Sequence, residues 1–207
     1  MTPFPLLLAA AAAFVGQAAG ATAIAVNNHS FEASVLAAGT NNIGIVGWVN
    51  STGGAFHPAI GPTGAFSHPV PDGVNTAWLN GGSAIQQLAA TLAADTTYTL
   101  RVEVGDRRDG VFPGYSVALL AGGTVLATES ALRPDDGFLT SVLSYTTGGS
   151  SPLLGRPLAI RLTANATQVN FDNVRLDASP VSAVPEPGIW ALLLAGIGIV
   201  ARRRRLA

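Results

Sequence analysis

Tyr98-Thr99-Leu100-Arg101-Val102-Glu103-Val104 alternates apolar and polar side chains without a break. That is the period of two shown by a strand with one face buried and the other wet. Working outward, the same period is read at residues 115–120, 123–128, 138–146, 158–163 and 168–176. Between these runs stand Ala121-Gly122-Gly123, Arg133-Pro134-Asp135-Asp136-Gly137 and Thr147-Gly148-Gly149-Ser150, in which Gly, Pro and Asp supply the backbone angles of tight turns. No stretch of this region has a convincing helical period. Many short strands at this spacing predict an antiparallel β-sandwich or barrel, in keeping with the chain's 24 glycines and 13 prolines.

The last of these runs carries a finer signal. Val169 and Phe171 share one parity, while Val174 and Leu176 share the other, so the inward face switches at Asp172-Asn173. A β-bulge there reconciles the two halves and turns a carboxylate and an amide out of regular pairing.

The two ends of the 207-residue chain differ from this body. Residues 6–15 read Leu-Leu-Leu-Ala-Ala-Ala-Ala-Ala-Phe-Val, an apolar run of the length of a secretory signal core. Ala19-Gly20-Ala21 and Ala21-Thr22-Ala23 follow it and offer small-x-small cleavage patterns, so residues 1–23 are expected to be a signal peptide. No Lys or Arg precedes Leu6. At the other end Val184-Pro185-Glu186-Pro187 is followed by fourteen apolar residues, 188–201, and then by Arg202, Arg203, Arg204 and Arg205. Prolines on either side of Glu186 stop a helix from extending backwards. Fourteen residues give a helix of about 21 Å against a hydrocarbon core of roughly 30 Å, a short transmembrane helix held on the cytoplasmic side by its arginines.

Between these ends, residues 24–184 contain seven Arg and eleven Asp or Glu, a formal charge of 7 − 11 = −4. An acidic body lacks the clustered positive charge that nucleic acid requires. Cysteine is absent, which excludes disulfides and thiolate metal sites.

The Pro185-Glu186-Pro187 motif, the apolar segment and the terminal arginines together resemble the PEP-CTERM sorting signal, here residues 181–207. The resemblance implies an exported protein of a Gram-negative bacterium. Its tail would pass transiently through the inner membrane and be processed by an exosortase-type enzyme, leaving the protein at a polysaccharide-rich cell surface or outside the cell. The body, residues 24–180, has Asn27-Asn28-His29-Ser30-Phe31-Glu32 near its start and Asn170-Phe171-Asp172-Asn173-Val174-Arg175-Leu176 near its end. These termini resemble those of galactose-binding-like jelly rolls, which include many carbohydrate-binding modules. That likeness implies an antiparallel jelly-roll sandwich whose first and last strands are neighbours. It also implies a structural Ca2+ held by Glu32 and Asp172, with the alternative that Glu32 is solvated and Asp172 bonds backbone at the bulge.

Glycan binding needs flat aromatic faces beside polar groups. Trp48, Trp78 and Tyr115 are the candidate platforms, each with the alternative of a place in the core, and Phe112-Pro113-Gly114-Tyr115 reads as a loop that could carry such an aromatic. The three histidines, His29, His57 and His68, come with no His-Glu-x-x-His or Gly-x-Ser-x-Gly motif. The expectation is therefore a non-enzymatic exported protein that binds extracellular polysaccharide. The alternatives are a self-associating matrix protein and a glycan-active hydrolase.

Overall fold

The computed structural model describes Gly20–Val181. The expected signal peptide and the expected sorting tail with its helix lie outside these residues. Twelve strands follow one another: β1 (Thr22–Ile24), β2 (Thr40–Asn41), β3 (Val49–Asn50), β4 (Gly54–His57), β5 (Thr76–Asn80), β6 (Ser83–Thr91), β7 (Thr96–Asp106), β8 (Tyr115–Ala121), β9 (Thr124–Glu129), β10 (Gly137–Thr147), β11 (Pro157–Ala164) and β12 (Thr167–Pro180). They form two antiparallel sheets. One runs β10-β7-β12-β5-β4-β2, with β1 added alongside β12, and the other runs β3-β6-β11-β8-β9. No helix occurs among the described residues.

The alternation seen in the sequence becomes the two-sided chemistry of the sheets. Leu100, Val102 and Val104 of β7 and Val169 and Phe171 of β12 join Val117, Leu119, Ile160 and Leu162 from the opposite sheet in one buried core. At roughly 25 cal/mol per Å² of apolar surface removed from water, this shared core is the main stabilising term.

The bulge expected in β12 is present: its pairing with β7 shifts between Asp172 and Arg175, with Asn173 at φ 49°. The parity switch follows, and Val174 and Leu176 return to the core. The first and last strands are neighbours, Ile24 pairing Leu176 and Thr22 pairing Ala178.

Two sequence expectations fail here. Tyr115 is not a loop aromatic; it opens β8 and is 1% exposed, because alternation from Tyr115 places it on the same inward face as Val117 and Leu119. β1 to β6 are also additional to the strands read from the sequence. β6 reads Ser-Ala-Ile-Gln-Gln-Leu-Ala-Ala-Thr, and its buried positions include Gln86. That side chain is accommodated by hydrogen bonds with the backbone of Asn27 and Gly47.

Candidate functional site

Trp78 lies between Ala77 and Leu79 in β5. Since those two point into the core, the strand's pleat sends Trp78 to the outer face of the larger sheet. Phe56 of β4, paired with Thr76, takes the same face. The segment linking β4 to β5 crosses this face and returns on itself through the Ile60–Phe66 bridge. It presses Phe66, fully buried, against Phe138 with ring centroids 4.9 Å apart. Phe56, Ala65 and Phe66, with Trp78 and Phe138 packed on them, make a second apolar cluster separate from the main core. Several hydrogen bonds hold the crossing segment down. Arg108 donates its backbone N–H to Ala65 and its side chain to Gly61 and Pro62, while Ser67 donates to Asp136 through both N–H and Oγ.

Beside this cluster a cavity of about 140 Å³ is lined by Asn41, Phe56, Trp78, Asn80, Arg107 and Gln168. A neighbouring cavity of about 250 Å³ includes Asp106, Arg107, Asp109, Val111 and Gln168, and a third of about 410 Å³ shares Phe56, Arg107 and Asp109. The three share residues and form one cleft centred on Arg107. Its guanidinium lies 5.7 Å from the centre of the Phe56 ring. Aromatic walls with a few directed polar groups are the usual makeup of a small-molecule site.

An acid suited to proton transfer lines the cavity of about 250 Å³; by the alternation of β7 it shares the inward parity of Leu100, Val102 and Val104, not the outer face that carries Trp78 and Phe56. Asp106 ends β7, is 7% exposed and lines the cavity beside Gln168. Burial pushes its carboxyl up to about 6; the N–H of Arg107 opposes this, and the charges of Asp135, Asp109 and Asp136 add to it. A carboxyl poised near neutrality can both give and take a proton. Asp109, by contrast, is held below the ordinary range by its hydrogen bonds from Arg107.

Of the three aromatics selected as platforms, only Trp78 reaches this cleft, where its Nε1 donates to the carbonyl of Asn42 at 3.2 Å. Trp48 is 7% exposed and packs on Phe31. Tyr115 is buried, with its hydroxyl donating to Glu129. Neither Trp48 nor Tyr115 offers a free face, so they cannot form a platform with Trp78. Asp106, Arg107 and Gln168 were not among the site residues selected. The sequence shows Asp106-Arg107-Arg108-Asp109-Gly110 as a charged turn that could line a rim, and nothing in it reveals that Asp106 is buried.

Glu32 and Asp172 are brought to one loop. Glu32 accepts from the N–H groups of Val74 and Asn75 and from the Asn75 side chain. Asp172, fully buried, accepts from the N–H groups of Asp72 and Asn173. Burial, with the charges of Asp72 and Glu32 adding to it and the N–H groups of Asp72 and Asn173 opposing it, pushes Asp172 up to about 8. Asn75 Oδ1 is buried without a partner. Oxygen donors gathered in this way suit a hard cation; each Asp172 oxygen keeps a lone pair beyond its one N–H bond, whereas Glu32 Oε1 already accepts two and Glu32 Oε2 one. Among the described residues, however, no group of three or more His, Cys, Asp or Glu converges as a metal site.

Comparison with known proteins matches residues 22–177 to the family model HpiC1-like, described as HpiC1 cyclase. The solved structure of the Stig cyclase Fisc from Fischerella sp. TAU, in complex with (3Z)-3-(1-methyl-2-pyrrolidinylidene)-3H-indole, is 31% identical. The alignment covers 79% of this chain and 100% of that one, with a TM-score of 0.73. A cyclase from Fischerella sp. TAU in complex with 4-(1H-indol-3-yl)butan-2-one is also 31% identical, over 78% of this chain and 100% of that one, with a TM-score of 0.71. The tandem CBM22 domains of Paenibacillus barcinonensis Xyn10C share the fold alone, at 13% identity, TM-score 0.50, 85% of this chain and 49% of that one. No curated protein matches the sequence.

These matches overturn the expectation of a non-catalytic polysaccharide binder and its matrix-protein and hydrolase alternatives, since the family and the solved structures are cyclases. The likeness to carbohydrate-binding modules holds for the fold and does not extend to the function. The PEP-CTERM reading, with its exosortase processing and its polysaccharide-rich surface, receives no support, and the family match ends at residue 177, before the tail begins.

Proposed function

This chain belongs to the HpiC1-like cyclase family, and on that premise we propose that it is an enzyme that closes a ring on an indole-bearing substrate in the cleft around Arg107. The observation that carries this reading is the cavity lined by Phe56, Trp78, Arg107 and Gln168, with the buried acid Asp106 in the adjoining space. A flat heterocycle gains apolar burial and ring stacking from Trp78, which is half-buried, while Phe56, 7% exposed and covered by Arg107, backs the site. A ring closure that leaves the mass unchanged takes up one proton and releases another, and Asp106 gives the first and takes back the second. Asp172 is not that group: it is sealed beneath the loop at residues 72–75, and both its oxygens accept backbone N–H bonds.

Indoles carrying an unsaturated side chain, incubated with the purified protein, should give an isomer of unchanged mass with one more ring. Asp106→Asn should bind the same compounds and not convert them. Failure of every such indole to react would defeat the proposal.

Two further readings accompany it. A structural Ca2+ at Glu32 and Asp172 would tie the loop at residues 72–75 to the bulge of β12; the support is the buried acid cluster and the unpartnered Asn75 Oδ1. Export is supported by the apolar run at residues 6–15 and by where β1 begins. Cleavage after Ala21 leaves Thr22–Ile24 whole to pair β12, whereas cleavage after Ala23 removes two of its three residues. An exported form whose measured mass starts at Thr22 would agree with this; one retaining Met1 would not.

A further inference from the structure

Arg107 is the one residue that lines all three compartments of the cleft, and its side chain is 29% exposed. Its plane is fixed on two sides. Phe56 lies under the guanidinium, and Asp109 holds the Nε and Nη2 edge with two parallel bonds, Nε to Oδ1 at 2.8 Å and Nη2 to Oδ2. The opposite edge is held differently: Nη1 donates to Gln168 Oε1 at 2.9 Å. Of the five N–H bonds of a guanidinium, Asp109 takes two and Gln168 takes one. Two remain without a protein acceptor among the described residues.

A carboxylate pair that stays and an amide contact that can be exchanged have different consequences. Asp109 neutralises the Arg107 charge, and Asp106, Asp135 and Asp136 add negative charge around the cleft. An incoming carboxylate finds the Arg107 charge already paired, with Arg108 of the third compartment turned to the carbonyls of Gly61 and Pro62. A neutral oxygen acceptor can still displace Gln168 from Nη1 or take an unused N–H, and a hydrogen bond to a charged donor is stronger than one between neutral groups. Arg107 also stands beside Phe56 and Trp78, so a ring held by those walls brings its side arm to the guanidinium.

We infer that Arg107 is a specificity-determining residue that selects substrates bearing a neutral carbonyl-type acceptor on the arm of an aromatic ring, in preference to purely hydrocarbon arms and to carboxylates. The inference rests on the proposed indole site and specifies what that site selects.

Three ligands on one skeleton test it by calorimetric titration: 4-(1H-indol-3-yl)butan-2-one, 3-butylindole and 3-(1H-indol-3-yl)propanoate. The ketone should bind at least about tenfold more tightly than either of the others. Arg107→Met should abolish the difference in affinity between the ketone and 3-butylindole, with a circular-dichroism spectrum and melting temperature like those of the unaltered protein reporting that the fold is intact. Asp109→Asn, which leaves the Arg107 charge uncompensated, should move the preference towards the propanoate. Equal binding of ketone and 3-butylindole by the unaltered protein would overturn the inference alone. So would a preference for the propanoate, or discrimination that survives Arg107→Met. Binding of none of the three would overturn the indole reading and this inference with it.

Discussion

Asp106→Asn should make the protein more stable at neutral pH and leave it unchanged in acid. Asp106 is 7% exposed, and burial moves its carboxyl from the ordinary 3.8 to about 6. Between those two values the folded chain holds a proton that the unfolded chain has released, so stability falls as pH rises through the window and levels off above about 6. Each pH unit costs at most about 1.4 kcal/mol, and the whole window up to about 3 kcal/mol. Water entering the open cleft screens part of this, leaving an expected effect of about 1–3 kcal/mol. Asparagine keeps an oxygen for the Arg107 N–H and carries no charge to bury. Urea unfolding of wild type and variant at pH 4 and pH 7.5 reads the difference between the two pH values. A change of stability that is the same at both would refute the idea that a buried, proton-exchanging carboxyl sits at the end of β7.

Three other outcomes follow from particular contacts. Tyr115 and Ser141 both donate to Glu129, linking the two sheets; burial works against the Glu129 charge, but these bonds outweigh it and hold its carboxyl below the ordinary range. Tyr115→Phe should therefore cost about 1–2 kcal/mol at pH 7. Because a depressed carboxyl loses its stabilising contribution as pH falls through its folded value, the loss should shrink in acid unfolding experiments; a pH-independent loss would contradict the network. Gly53 has φ +119°, and a Cβ there would lie 2.0 Å from the carbonyl oxygen of Trp78. Gly53→Ala should lower stability by more than about 2 kcal/mol and weaken binding of 4-(1H-indol-3-yl)butan-2-one, both measurable on one preparation. If Glu32 and Asp172 hold Ca2+, the melting temperature should rise from chelator to millimolar calcium in proportion to the logarithm of the free ion. The rise should vanish in Glu32→Gln, and no rise in the wild type would exclude the ion.

The sandwich was legible because its longest strands carry apolar side chains on one face only. In β7 and β12 the sequence itself shows Leu100, Val102, Val104, Val169 and Phe171 at alternate positions, and even the bulge at Asp172-Asn173 is written as a change of parity. β5 and β6 were harder to see. Trp78 is apolar on the outward face and so masks the alternation of β5, while Gln86 is polar on the inward face of β6, satisfied by backbone contacts that come from residues distant in the chain.

The site was less legible for a related reason. Phe56, Phe66, Trp78 and Phe138 are spread over more than eighty positions, and the pairing of β4 with β5 and the crossing segment bring them together. Arg107 and Asp109 read as a solvated ion pair, and their sequence spacing is satisfied by that reading. Only the fold shows that Gln168 and Phe56 stand on either side of them. Glu32 and Asp172, chosen from the resemblance of the chain's two ends to jelly rolls, are brought to the same loop. The absence of a catalytic motif misled, because one desolvated carboxyl and aromatic walls brought together by the fold leave no motif of adjacent residues in the sequence.

The most direct measurement is a titration of the 15N-labelled body with 4-(1H-indol-3-yl)butan-2-one, following the indole N–H signals of its two tryptophans. Trp78 lines the cleft and Trp48 is packed in the core beside Phe31. An indole-binding cleft predicts a saturable shift of the Trp78 signal, accompanied by the side-chain amide of Gln168, with Trp48 unmoved. Saturable shifts confined to residues away from Phe56, Trp78, Arg107 and Gln168, or no shift at millimolar ligand, would contradict it.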